Sequence, residues 1–161
     1  MQIHLLRHGR AEEAEQGGSD SARSLTAGGR AEVQQVLERA RRAGVVPSLI
    51  LTSPYLRAFE SAEIAAKILG YTGGIVRTEA LVPISALRRV WDEIRSRQNE
   101  SQILLAGHEP LLSQLVAYLL CAPTLRVAVR PATLVRIDID HFGGEPHGVL
   151  HWMLPPALAA E

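Results

Sequence analysis

The chain has little of three things: one cysteine, one lysine and few aromatic residues, with two tryptophans, three tyrosines and two phenylalanines in 161 residues. A single thiol, Cys121, excludes a disulfide within the chain and fits a reducing cytoplasm. Its setting, Leu119-Leu120-Cys121-Ala122, reads as a buried small hydrophobe rather than a nucleophile. Net charge is also missing: Lys+Arg and Asp+Glu both number 17, so nothing in the balance favours nucleic acid or a membrane surface. No run reaches the roughly 18 apolar residues of a membrane span, and no basic n-region with a long apolar segment precedes the first apolar run. The expectation is a cytoplasmic protein that is not exported.

What is abundant is arginine, since Lys67 is the only lysine among the 17 basic residues. Its planar fork suits phosphate held at two points. The length suits a single domain over residues 1–161, large enough for one sheet covered on both faces.

Short apolar runs alternate with amphipathic stretches, the βα pattern of a mostly parallel sheet and hence a three-layer α/β/α sandwich. The first strand is expected at residues 2 to 7, followed by a polar loop from Glu12 to Arg23 containing Gly17-Gly18-Ser19-Asp20-Ser21. Thr26 is the expected cap of a helix whose stripe is Val33, Val36, Leu37 and Ala40, ended by Gly44 and Pro47. Leu49-Ile50-Leu51 reads as an inner strand. A helix from Pro54 or Tyr55 to Gly70 follows it. A weaker strand is expected at 75–78, then a helix over 85–97 with Trp91 as a core anchor. Ile103-Leu104-Leu105-Ala106 is the clearest buried strand and leads through Gly107-His108-Glu109-Pro110 into another helix. Extended pieces at 125–129, 133–139 and 148–153 then close the sheet with antiparallel partners.

Three strand ends carry polar groups: Arg7 and His8 after the first, Ser53 and Arg57 after the second, His108 and Glu109 after the fourth. In a parallel sheet these ends share one edge, so residues about a hundred positions apart can meet in one crevice. Arg57 falls in the first turn of its helix, where the dipole already favours an anion, so a bound negative charge is its natural compensation. Two arginines beside two histidines suit phosphate better than a metal, because guanidinium cations repel the ion and ligate nothing. The alternative is a metal cluster that adds His4, His141, His147 and His151. His147 and His151 lie four apart in a strand or turn, off a helix.

Leu6-Arg7-His8-Gly9, Leu25-Thr26-Ala27-Gly28-Gly29-Arg30, Thr52-Ser53-Pro54-Tyr55-Leu56-Arg57-Ala58 and Ala106-Gly107-His108-Glu109-Pro110 together resemble the histidine phosphatase superfamily, the phosphoglycerate mutase-like fold. The short length is similar to its SixA-type phosphohistidine phosphatases. The resemblance implies that His8 takes the phosphoryl group, that Arg7, Arg57 and His108 complete the phosphate pocket, and that no cofactor or metal is used.

The chain departs from the superfamily's mutases in lacking their glutamate-bearing segment after the third strand and the asparagine beyond the Arg-His-Gly motif. Thr78-Glu79-Ala80-Leu81-Val82-Pro83 stands there instead. Expelling an alkoxide without a proton is hard, whereas imidazole, with a reference pKa near 6.5, leaves a phosphoramidate readily once water protonates it. A missing acid therefore favours a P–N substrate, a phosphohistidine on a phosphotransfer protein, approached by a monomer. Glu12, Glu13, Glu79 and Glu109 are the candidate acids if the substrate is a small phosphate ester. A phosphohistidine-binding adaptor without turnover is the reading from another class.

Overall fold

The computed structural model describes residues 1–160. Six strands form one sheet: β1 (Gln2–Arg7), β2 (Leu49–Thr52), β3 (Val76–Arg77), β4 (Gln102–Gly107), β5 (Leu134–Asp138) and β6 (Val149–Leu154), in the order β3-β2-β4-β1-β5-β6. The first four are parallel, while β5 runs antiparallel to β1 and β6 antiparallel to β5.

Alternation along the strands divides the core into two layers. Ile3, Leu5, Leu51, Ile103 and Leu105 face the helices α3 (Leu87–Arg95) and α4 (Leu111–Leu119). Leu6, Ile50, Leu104 and Ala106 face α1 (Ala27–Arg42), α2 (Leu56–Leu69) and the short α5 (Pro156–Ala159). The result is the three-layer α/β/α sandwich with a mostly parallel sheet. Val33, Val36, Leu37 and Ala40 of α1 are buried, as their spacing requires, and Trp91 is fully buried with its indole N–H donating to Gly144 O.

The helix ends follow local chemistry. Thr26 Oγ1 accepts from Gly29 N at 2.9 Å and caps α1. Gly70, at φ 70°, closes α2 in the left-handed conformation that glycine adopts without steric cost.

Three expectations need correction. Residues 125–129 form no strand. They follow Pro123 as an irregular segment in which Val129 is buried and Leu125 exposed. The weak third strand shrinks to Val76–Arg77, a short edge piece with both residues exposed. Cys121 is exposed, because the chain turns at the end of α4 with φ 52° at this residue and leaves the helical face that buries Leu119.

Candidate active site

Neighbouring parallel strands β1, β4 and β2 end together, and the ladder continues past each of them. His8 N donates to Gly107 O at 3.1 Å and Ser53 N to Ala106 O at 3.0 Å, so both residues are pinned to the end of the central strand. His8 O in turn accepts from Ala132 N at 3.0 Å. Its backbone is therefore held from two sides.

The turn after β1 presses on the start of α1. A Cβ on Gly9 would lie 2.6 Å from Gly29 O, and one on Gly29 would overlap the Arg10 carbonyl. This close approach is the physical requirement behind the glycines of both motifs. Gly9 N also donates to Ser61 Oγ at 3.3 Å, and that hydroxyl donates to Arg57 O, which couples the turn to the first part of α2.

Arg7, His8, Arg57 and His108 all line one cavity of about 500 Å³, together with Arg10, Ala11, Asp20, Arg23, Pro83, Glu109 and Pro131. The four residues picked from sequence are thus brought together, with the His8 and His108 ring centroids 5.0 Å apart. Of the four candidate acids only Glu109 reaches this cavity, and its carboxylate accepts from Ser113 N at 2.8 Å. Glu79 is exposed in a short 3-10 turn, and Glu12 and Glu13 line a separate hollow beside the loop.

Hydrogen-bond partners assign the His8 tautomer. His8 Nδ1 lies 2.7 Å from Gly9 O, a pure acceptor, so this nitrogen carries the proton and donates. Arg57 Nε donates to His8 Nε2 at 3.2 Å, which requires a lone pair there. Burial pushes the His8 imidazole down to about 4, against the Gly9 hydrogen bond and with Arg57 and Arg7 assisting, so the ring is neutral at physiological pH. Tyr55 N donates to Ser53 Oγ at 3.2 Å, and that hydroxyl shares a hydrogen bond of 2.7 Å with His108 Nε2. His108 Nδ1 is buried without a partner. Burial, with His8 and Arg57 adding to it, lowers His108 to about 3.

Arg7 Nη1 donates to Val129 O at 2.7 Å, so the irregular 125–129 segment orients this guanidinium instead of joining the sheet. Its Nε is buried without a partner. All three Arg57 nitrogens are engaged: beyond His8, Nη1 donates to Asp20 O at 2.7 Å and Nη2 to Asp20 Oδ2 at 3.1 Å. No side chain caps α2, and Arg57 in its first turn lines the cavity. Asp20 escaped the sequence reading. It sits in a Gly- and Ser-rich stretch without periodicity, and the only available signal was an aspartate beside Arg23 in a loop placed next to His8.

The other histidines stay out of the cavity: His4 is fully buried with its ring 5.9 Å from that of Trp152, and His151 pairs with Asp138. Among the described residues no group of three or more His, Cys, Asp or Glu is placed to hold a metal ion. A neutral histidine with its lone pair on Nε2, among arginines and a second neutral histidine, can attack phosphorus while its neighbours bind the equatorial oxygens.

Comparison with known proteins agrees with this chemistry. Residues 3–86 match the model of the histidine phosphatase superfamily (branch 1), a span that holds Arg7, His8 and Arg57. Over 158 residues the chain is 27% identical to the phosphohistidine phosphatase SixA of Escherichia coli (strain K12), covering 97% of this chain and 94% of that one. It is similar to the structure of the protein histidine phosphatase SixA complexed with tungstate, with a TM-score of 0.88, 25% identity and 98% of each chain covered. The alpha-ribazole phosphatase from Shigella flexneri shares the fold at 18% identity and a TM-score of 0.75, with both chains fully covered.

Proposed function

The chain belongs to the histidine phosphatase superfamily and is a phosphatase, and we propose that its substrate is a phosphorylated histidine on a phosphotransfer protein. The observation that carries the mechanism is the state of His8, neutral, with Nδ1–H donated to Gly9 O and the Nε2 lone pair facing Arg57. In the first step Arg57 Nε–H turns from His8 Nε2 to a phosphoryl oxygen, and the freed Nε2 lone pair forms a bond to phosphorus as the P–N bond to the substrate imidazole breaks. That imidazole leaves with a proton from water. Arg7 and Arg57 neutralise the equatorial oxygens, with His108 beside them as a further hydrogen-bonding group. In the second step water attacks phospho-His8, releasing inorganic phosphate and restoring the neutral ring.

The substrate class is supported by the acids at the mouth. Glu109 accepts from Ser113 N, and Arg23 and Arg57 hold the Asp20 carboxyl below the usual carboxylate range, so Asp20 is an anion with no proton to give an alkoxide. An imidazole leaving group does not require one. The likeness to a phosphohistidine phosphatase over nearly the whole chain points the same way.

The experiment is incubation with a phosphorylated histidine-phosphotransfer domain, following loss of label, beside a panel of sugar and nucleotide phosphates. Turnover of the phosphohistidine, abolished in His8→Ala, is the expected result. Faster hydrolysis of the esters would move the assignment to a small-molecule phosphatase, and tight binding without turnover to an adaptor.

A further inference from the structure

The part of Arg57 that a phosphoryl group would grip is already occupied. With Nε on His8, the guanidinium has one bidentate edge left, Nη1 and Nη2, and both donate to Asp20, to its carbonyl and to its carboxylate. The same carboxylate reaches a second arginine of the cavity, with Asp20 Oδ1 2.9 Å from Arg23 Nη1. One anion thus bridges two arginines, as phosphoryl oxygens would.

The two partners differ sharply in surroundings: the Arg57 side chain is 6% exposed and that of Asp20 is 57% exposed. A buried guanidinium is costly to leave unpaired, whereas an exposed carboxylate loses little by returning to water. The loop is built to let go. It is closed at its base by the Ala11–Leu25 bridge and the Glu12 N to Ser24 O hydrogen bond, and residues 12–20 between them are exposed. The hydrogen bonds from Arg23 and Arg57 hold the Asp20 carboxyl below the usual carboxylate range, so it is an anion when it occupies the clamp.

We propose that Asp20 is a resident anion of the phosphoryl clamp: the phosphoryl group displaces it from Arg57, and Arg23, freed from Asp20, becomes a further contact to that group. The inference rests on the reading of Arg57 as the clamp. The exchange keeps Arg57 paired between turnovers, and it weakens the hold on product phosphate, since every bound anion must compete with Asp20.

The test is calorimetric titration of tungstate, a phosphate mimic, into wild type, Asp20→Asn and Asp20→Ala. Both variants are expected to bind tungstate about two- to fivefold more tightly, the scale of one solvent-accessible ion pair removed from competition. Amide exchange over residues 19–24 should accelerate in wild type when tungstate binds, and should be fast in Asp20→Asn without it. If Asp20 merely props Arg57 in place, both variants bind equally or more weakly with unchanged thermal unfolding, and the proposal is overturned. Tungstate involves no phosphohistidine, so a wrong substrate assignment leaves these affinities where they are. Wild type that binds no tungstate overturns the phosphoryl pocket and the resident anion together.

Discussion

The strand ends and the loop after β1 bring opposite kinds of residue to one cleft. His8 and Ser53 are fixed by backbone bonds to the sheet, His108 is held by Ser53 Oγ at its ring and by Leu112 N at its carbonyl, and Ser53 and His108 are buried. Asp20 is exposed and reaches the cleft from a surface loop, meeting α2 through its carbonyl and carboxylate on Arg57. Reacting atoms have to be held within a few tenths of an ångström, which a packed sheet edge does and a surface loop does not. A group that must yield to substrate belongs on the loop, where opening costs least.

The largest expected effect strikes the rigid side. His8→Ala and His108→Ala should each lower kcat/KM by at least about 10³-fold, because nucleophile and clamp act as a unit. Steady-state rates check this, with circular dichroism melting to confirm folding. A loss below tenfold for either would remove that residue from the chemistry.

Next comes the seam between the two regions. Gly29→Ala would ordinarily gain about 0.5–1 kcal/mol in a helix. Here the new Cβ meets the Arg10 backbone, and overpacking of that kind costs about 1–3 kcal/mol. Net destabilisation is expected in urea unfolding, with activity falling as the His8 turn is pushed out of line. A neutral or stabilised variant would show that the seam is looser than the structure has it.

Acid should separate the regions as well. Burial lowers His8 to about 4 and His108 to about 3 from an ordinary 6.5. The unfolded chain binds more protons between these values, so the stability these neutral rings contribute is complete above pH 6.5 and is lost as pH falls towards 4. The acid limb of kcat/KM, read from initial rates, should likewise lie well below pH 6.5. A limb centred at 6.5 would mean that both rings are solvated. The smallest effect is expected at the base of the loop, where Thr26→Ala should cost about 1 kcal/mol by losing the cap on Gly29 N, measured in the same urea experiment.

The rigid side was readable in the sequence because each of its residues follows an apolar run broken by glycine or proline: Leu5-Leu6 before Arg7-His8, Ile50-Leu51 before Ser53-Pro54, Leu104-Leu105 before Gly107-His108. Period and punctuation place such residues at one sheet edge before any contact is known. The loop carries neither signal, and the Arg57–Asp20 bond joins residues 37 apart that nothing local relates. The missed 125–129 segment has the same cause. Val127 and Val129 look like strand residues, yet Val129 is buried so that its carbonyl can orient Arg7, a tertiary demand that overrides β-propensity.

The central claim is that His8 Nε2 accepts the phosphoryl group. The most direct measurement is a base quench during turnover of a phosphorylated histidine-phosphotransfer domain, followed by mass spectrometry and phosphorus NMR of the trapped enzyme. The expected result is a base-stable, acid-labile phosphoryl group on His8, as the Nε2 isomer. Phosphate on His108, on His8 Nδ1, or on no histidine while turnover proceeds would contradict it.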